Sequence, residues 1–251
     1  MREAITVCRM CYRYVLQREA LEALAVRLAI PGPVEWRSRY NLAPGETVPV
    51  MRAQAGGEGR SLEVAKMRWG LIPRWTKDAA TATAPANARA ESLAIRPAFR
   101  EAFRLRRCLV PATGFYEWQG PSRRRQPYLF RLLDGTPLCF AGVWGSWRDP
   151  AGGQTIETCA IITTAPNELV RVIHDRMPAI LGPDEIGRWL DPRLTESREL
   201  APLLHPFAAD AMKTFPVTTR VNNTRFDDPA CIEPAVVDEG GDDHDQLLFG
   251  L

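Results

Sequence analysis

Apolar residues recur at helical spacing in Leu21, Leu24 and Leu28, which predicts a helix from Gln17 to Ala29 that Pro31-Gly32-Pro33 stops. Arg39 to Gly45 is rich in turn formers and leads into a strand around Val48 to Met51. Leu62 to Trp69 returns as a second strand beyond a hairpin-like loop at Ala55 to Gly59. Leu71 opens a long stretch without strong period, in which Thr76 to Ala86 is small, polar and loop-forming. Phe99 and Phe103 then predict a short amphipathic helix.

Arg107 to Val110 and Gly114 to Trp118 read as strands, and Pro121 to Arg125 as a basic loop. Tyr128 to Leu133 and Pro137 to Trp147 form a hairpin around Asp134-Gly135. Glu157 to Thr164 is a further strand, and Asn167 to Ile173 one or two helical turns. Pro183 to Leu190 and Glu196 to Leu204 read as helices, with prolines near their starts. Phe215 to Thr219 is the last strand, and Val221-Asn222-Asn223 a turn. Many short strands with scattered helices predict an α+β fold: one domain with a largely antiparallel core and peripheral helices.

The length of 251 residues suits that single domain. No apolar run reaches the roughly 18 residues of a membrane span. The opening residues lack the apolar core of a signal peptide, so a cytoplasmic location is expected. Residues past about Asp238 are acidic, contain glycine and are expected to be a disordered tail.

Net charge changes the picture more. The overall value is only +2, but residues 227–251 hold eight acids and no Lys or Arg. That leaves 32 basic against 22 acidic residues in 1–226, a charge of +10. A body that basic can displace counterions from a phosphate backbone. Only Lys66, Lys77 and Lys213 are lysines, and arginine suits phosphate and stacked bases, although codon bias accounts for the preference equally well.

Six cysteines are present, of which Cys108, Cys139 and Cys159 sit in apolar strands as buried free thiols do. Cys8-Arg9-Met10-Cys11 has C-x-x-C spacing, but neither the strand–helix context of a redox motif nor a second ligand pair for zinc accompanies it. Cys11 is more informative if it becomes the first residue, either because translation starts at Met10 or because residues 1–10 are cut away. A free α-amine titrates near roughly 7.7–8 and is partly neutral at physiological pH. Amine and thiol together can capture an aldehyde as an imine and close a thiazolidine.

Convergent polar residues complete the candidate set. His174 is one of three histidines and lies in the charged turn His174-Asp175-Arg176-Met177-Pro178; a satisfied core or surface histidine is the alternative. Glu117 is flanked by aromatics at strand period, so it is either a carboxylate in an apolar wall with raised pKa or an outward-facing strand residue. Asn87 and Arg89 alternate, which puts both on one side of an extended segment. Trp69 and Trp75 offer faces for base stacking, with a core role the competing reading for Trp69. No phosphate loop, H-E-x-x-H or G-x-S-x-G is present.

Seven stretches in order resemble the SRAP (SOS response-associated peptidase) family from about Met10 to Pro234. They are Met10-Cys11-x-Arg13-Tyr14, Arg39-Tyr40-Asn41-x-Ala43-Pro44-Gly45, Trp69-Gly70-Leu71-Ile72-Pro73-x-Trp75, Asn87-Ala88-Arg89-x-Glu91, Gly114-Phe115-Tyr116-Glu117-Trp118, Ile173-His174-Asp175-Arg176-Met177-Pro178 and Val221-Asn222-Asn223. The resemblance implies an SRAP domain over 11–237 with a barrel-like or bifurcated sheet, a leader at 1–10 and a tail at 238–251. It implies a monomer that crosslinks to abasic sites in single-stranded DNA and is nucleoid-associated when bound. Membranes, metal and cofactor have no part in that activity.

By resemblance, Cys11 is the nucleophile and Asn87, Glu117 and His174 complete the active site. Arg13, Arg89 and Arg176 contact DNA, with Trp75 abutting bases and Asn41 and Thr163 at family polar positions of the binding site. His174 opens the sugar ring, the Cys11 amine attacks the aldehyde, Glu117 relays protons and the thiolate closes the thiazolidine. Two features depart from the family: Tyr12 replaces the usual glycine, and nine residues precede Met10. Self-removal of the leader is a further implied activity. A cysteine peptidase using Cys11, His174 and Glu117 is one alternative, and a non-covalent single-strand binder the other.

Overall fold

The computed structural model describes residues 13–54, 61–121 and 125–236. Two sheets organise them, and one stretch of chain passes from the first into the second.

The first sheet contains β3 (Thr47–Ala53), β4 (Leu62–Trp69), β6 (Arg107–Ala112), β9 (Leu138–Arg148) and β10 (Thr155–Thr164). Neighbours pair in the order β10-β4-β3-β6-β9, and β9 pairs again with β10, so the five strands close a ring. Closure removes the exposed edges that an open sheet would have. Most pairings are antiparallel; β10 runs parallel to β4 and to the short β5 (Asn87–Arg89). The two-residue β11 (Met177–Pro178) pairs with the far end of β10, bringing Pro178 opposite Thr163.

The second sheet has the order β12-β8-β7-β1-β2, built from β12 (Met212–Pro216), β8 (Gln126–Leu132), β7 (Gly114–Gln119), β1 (Tyr14–Leu16) and β2 (Arg39–Leu42). Only Thr113 separates β6 from β7, so the chain leaves the ring and enters this sheet almost without a break. The crossing is tight. A side-chain carbon at Gly114 would lie 2.7 Å from the Phe130 carbonyl oxygen, so the position requires glycine.

Helices cap the periphery: α1 (Arg18–Arg27), α2 (Arg100–Leu105), α3 (Glu168–Arg171), α4 (Pro183–Leu190) and α5 (Ser197–Leu200). The main core lies inside the ring and under α1 and α4, around Trp69, Phe103, Phe140 and Trp189. Trp69 is buried, donating its indole N–H to the Ala86 carbonyl at 2.8 Å, so its core reading holds. A smaller cluster of Val15, Tyr116, Leu129, Val217 and Val221 packs the C-terminal segment on the second sheet. Cys108, Cys139, Cys159 and Cys231 are buried and free. Among the described residues no helix is long and apolar enough to cross a membrane.

The α+β class and largely antiparallel core agree with the sequence pattern. One expected pairing fails: β8 bonds to β7 and β12, and β9 to β6 and β10, so Asp134-Gly135 carries the chain from the second sheet back to the first instead of closing a hairpin. The other differences are local. The expected helix from Gln17 to Ala29 ends at Arg27, because Ala29 turns to φ 52° before the prolines are reached. The final strand is Met212–Pro216 rather than Phe215–Thr219, since Pro216 has no N–H for a longer ladder and the chain turns at Thr219. Within Arg39 to Gly45 the first four residues are strand. The predicted loop at Ala55 to Gly59 and most of Pro121 to Arg125 lie outside the described residues, as does the tail beyond Val236.

Candidate functional site: a carboxylate and an imidazole at the seam of two sheets

Glu117 lies in the middle of β7, where its neighbours Tyr116 and Trp118 point to the opposite face. His174 comes from the other sheet, in the turn between α3 and β11. That turn is fixed by its own backbone: the His174 N–H donates to the Val170 carbonyl at 2.9 Å, closing the last turn of α3. Asn167 caps the same helix, its side chain accepting from the Val170 N–H.

The two side chains meet across the seam. His174 Nδ1 is 3.8 Å from Glu117 Oε2, with the imidazole 12 % and the carboxylate 3 % exposed. Nδ1 lies 3.1 Å from both the N–H and the carbonyl oxygen of Arg176, accepting from the first in one tautomer and donating to the second in the other. Three oxygens face Nδ1: Glu117 Oε2, Asp175 Oδ1 at 3.5 Å and the Arg176 carbonyl at 3.1 Å. A proton on Nδ1 therefore finds acceptors already in place. That is the layout of a proton relay.

Arg176 does more than supply a backbone group. Its guanidinium grips both oxygens of Glu91 (2.7 and 3.0 Å) and donates to the Thr163 carbonyl at 2.6 Å. This fork holds Glu91 below the ordinary carboxylate range, chiefly through the side-chain hydrogen bonds. Thr163 is fully buried beneath it. The pairing of β5 with β10 sets Asn87 opposite Ile161 and Arg89 opposite Thr163. Asn87 is buried there and Arg89 exposed.

Arg13 approaches from the second sheet. Its carbonyl accepts from the Tyr116 N–H at 3.1 Å, one residue from Glu117 along β7. Its guanidinium donates to Asn41 Oδ1 at 2.7 Å and to the Val221 carbonyl at 3.1 Å, and lies 5.9 Å from the Trp118 ring centroid. Asn41 is fully buried, and its amide donates to the carbonyls of Val221, Asn223 and Phe226. It positions Arg13 rather than presenting a surface of its own.

Trp75 is 59 % exposed on the loop after β4, where it lines a cavity with α2. Cys11 and Tyr12 lie outside the described residues. Among the described residues no group of three or more His, Cys, Asp or Glu side chains is arranged to hold a metal ion.

Two partners were not singled out from sequence. Glu91, which clamps Arg176, stood in the Asn87-Ala88-Arg89-x-Glu91 stretch without a role. Trp118, beneath Arg13, donates its indole N–H to Asn222 at 2.6 Å and so ties the C-terminal turn to β7. Its alternation with Glu117 was the available signal.

A buried carboxylate–imidazole pair is bordered by arginines from both sheets in a mixed two-sheet α+β domain. The chain belongs to the family described as SOS response associated peptidase (SRAP), whose pattern matches residues 10–224. It is 36 % identical over 228 residues to abasic site processing protein YoqW of Bacillus subtilis, covering 89 % of this chain and 99 % of that one. It is 32 % identical over 226 residues to abasic site processing protein HMCES of Gallus gallus, covering 79 % of this chain and 67 % of that protein. A crystal structure of a protein from Bacteroides thetaiotaomicron superposes with a TM-score of 0.79 at 29 % identity, covering 90 % of this chain and all of the other.

Proposed function

We propose that this chain processes abasic sites in DNA by covalent capture, with Cys11 as the first residue of the working protein. The observation that carries the reading is the His174–Glu117 pair at 3.8 Å, with Arg13 lying beside β7 two residues from Cys11 in sequence. Abasic site processing proteins named among the relatives support the substrate class. Without residues 1–10, which hold Arg2, Arg9 and Glu3, the body from Cys11 to Phe226 keeps a net charge of +9, which supports a phosphate-bearing partner.

The chemistry follows from the groups. An abasic site is a sugar hemiacetal in equilibrium with its open aldehyde. His174 gives a proton to the ring oxygen while the anomeric hydroxyl passes its own proton to Glu117, and the sugar opens. The Cys11 amine adds to the aldehyde, and Glu117 supplies the proton with which the carbinolamine loses water. The thiolate then adds to the imine carbon, closing a thiazolidine before β-elimination can cut the strand. Asn87 orients the Cys11 backbone, which makes the sequence effectively intramolecular. Arg13 and Arg89 bind flanking phosphates, Trp75 abuts a base, and Arg176, Thr163 and Asn41 keep the surrounding groups in place.

The test uses two forms, one starting at Cys11 and one retaining residues 1–10, incubated with single-stranded DNA bearing an abasic site. A heat-stable adduct from the first form, lost in Cys11→Ala, is expected on denaturing gels. An adduct that still carries residues 1–10, shown by its mass, would overturn the amine chemistry. Binding without an adduct would leave a non-covalent binder. The family description favours one companion activity, removal of residues 1–10 through the Cys11 thiol. Mass spectrometry of the expressed N-terminus, compared with that of Cys11→Ala, tests it.

A further inference from the structure

His174 owes its place to a short loop that one buried side chain closes from outside the site. The chain leaves the first sheet after Thr164 and rejoins it at Met177, with α3 and His174 between. Asn167 stands at the start of this loop and is 4 % exposed. Its Oδ1 accepts from the Val170 N–H at 2.9 Å, and the Val170 carbonyl accepts from the N–H groups of Ile173 and His174, each at 2.9 Å. Its own N–H donates to Met177 Sδ at 3.3 Å. One residue therefore touches both ends of the loop that carries the imidazole.

The amide nitrogen of Asn167 reaches elsewhere. It donates to the Phe207 carbonyl at 2.8 Å and lies 3.4 Å from the sulfur of Met212, the first residue of β12 in the second sheet. Sulfur is a weak acceptor, so the carbonyl carries most of the tie. Beside it, Thr164 Oγ1 donates to the Leu204 carbonyl at 2.8 Å, which holds the segment 204–207 against the same end of β10. β12 belongs to the run β12-β8-β7, and β7 carries Glu117.

We propose that Asn167 is a positioning residue: it spans the two sheets and sets the separation at which the His174 imidazole faces the Glu117 carboxylate. The proposal deepens the reading of that pair as the groups that open the abasic sugar, and it rests on that reading. A helix of four residues such as α3 does not hold itself, because most of its N–H and C=O groups lack intrahelical partners. It takes its orientation from what it is tied to. A helix cap needs only Oδ1; the contacts of the amide nitrogen are the ones that cross the seam.

The experiment compares the protein started at Cys11 with its Asn167→Ala and Asn167→Asp forms. Asn167→Asp keeps the cap acceptor and loses the amide donors, whereas Asn167→Ala loses both. One single-stranded oligonucleotide bears a true abasic site. Another bears an aldehyde without the 4′-hydroxyl, which has no ring to open. At saturating DNA, Asn167→Ala should slow capture of the abasic site by about ten- to a hundred-fold, and Asn167→Asp by a smaller factor. Capture of the open aldehyde and DNA affinity should stay as they were. The His174 ring signal, identified among three histidines by its loss in His174→Gln, is followed by NMR in the DNA-free protein and should move in both Asn167 variants.

Equal slowing on both strands would mark a folding defect and overturn the proposal, as would an unmoved His174 signal. Full recovery of abasic-site capture in Asn167→Asp would overturn it too, leaving the helix cap as the only role. If even the unsubstituted protein forms no adduct with either strand, the covalent reading fails, while a moved His174 signal still upholds the placement by Asn167.

Discussion

Arg13 and Asn41 form a buried lock: the guanidinium donates to the carboxamide oxygen at 2.7 Å, while the amide nitrogen of Asn41 donates to three carbonyls of the 221–226 segment. One side chain thus joins β2, the start of β1 and the C-terminal segment. Asn41→Asp removes the two N–H donors that the three carbonyls share and sets a carboxylate against them. A loss of about 3 kcal/mol is expected in chemical denaturation, since each unsatisfied buried polar group costs about 1–3 kcal/mol. DNA affinity should fall as well, because the new carboxylate pairs with the Arg13 guanidinium and offsets its charge toward phosphate.

Arg89 and Glu117 should separate binding from chemistry. Arg89 is exposed and assigned to phosphate, so Arg89→Ala should reduce the slope of log affinity against log salt by about one. Glu117→Gln should slow adduct formation with little change in affinity. Equal losses of affinity and rate in Glu117→Gln would mark it as structural.

The Arg176–Glu91 fork gives a signed pH dependence. Glu91 is held below its ordinary range by the hydrogen bonds from Arg176, so its stabilisation is present above the unfolded carboxylate pKa. It is lost as pH falls through the lower folded value. Because Glu91 is 58 % exposed, the contribution is only about 0.5 kcal/mol. The stability difference between the protein and Glu91→Gln should therefore shrink through an acid denaturation series and vanish once the lowered folded value has been crossed.

Arg107 is the buried cation of the fold. It donates to the carbonyls of Trp189, Phe103, Arg104 and Asp191, gathering the ends of α2 and α4 onto β6. Burial pulls its pKa down to about 10. The four acceptors favour the charged form, and guanidinium remains protonated near neutrality. Arg107→Met should cost about 3–5 kcal/mol by thermal or chemical unfolding, since it strands those carbonyls. Arg107→Lys should recover part of that loss.

Ala29 closes α1 in a left-handed conformation at φ 52°, with the Ile30 N–H reaching back to the Ala25 carbonyl at 2.9 Å. Glycine is the residue suited to that position. Ala29→Gly should raise stability by about 0.5–1 kcal/mol, measured as a higher denaturant midpoint at unchanged slope.

Long, periodic segments were legible in the sequence. Leu62–Trp69 and Pro183–Leu190 have the bounds expected, because hydrophobic alternation or helical spacing runs their whole length. β1 and β5 have only three residues each and carry no readable period; partners supplied by distant chain make them strands. The same limit applies to the site. Glu117 was visible as a carboxylate among aromatics, but its approach to His174 depends on two sheets meeting. Asn41 was placed at the binding site by resemblance, but its burial was not legible because its three carbonyl partners lie 180 to 185 positions away.

Glu117 stands on β7 of the second sheet, and His174 on the turn that leads into β11 of the first. Neither sheet alone holds both side chains, so their approach depends on how the two sheets pack. On the proposed chemistry, a heat-loosened molecule whose sheets have separated would lose reactivity while each sheet is still intact.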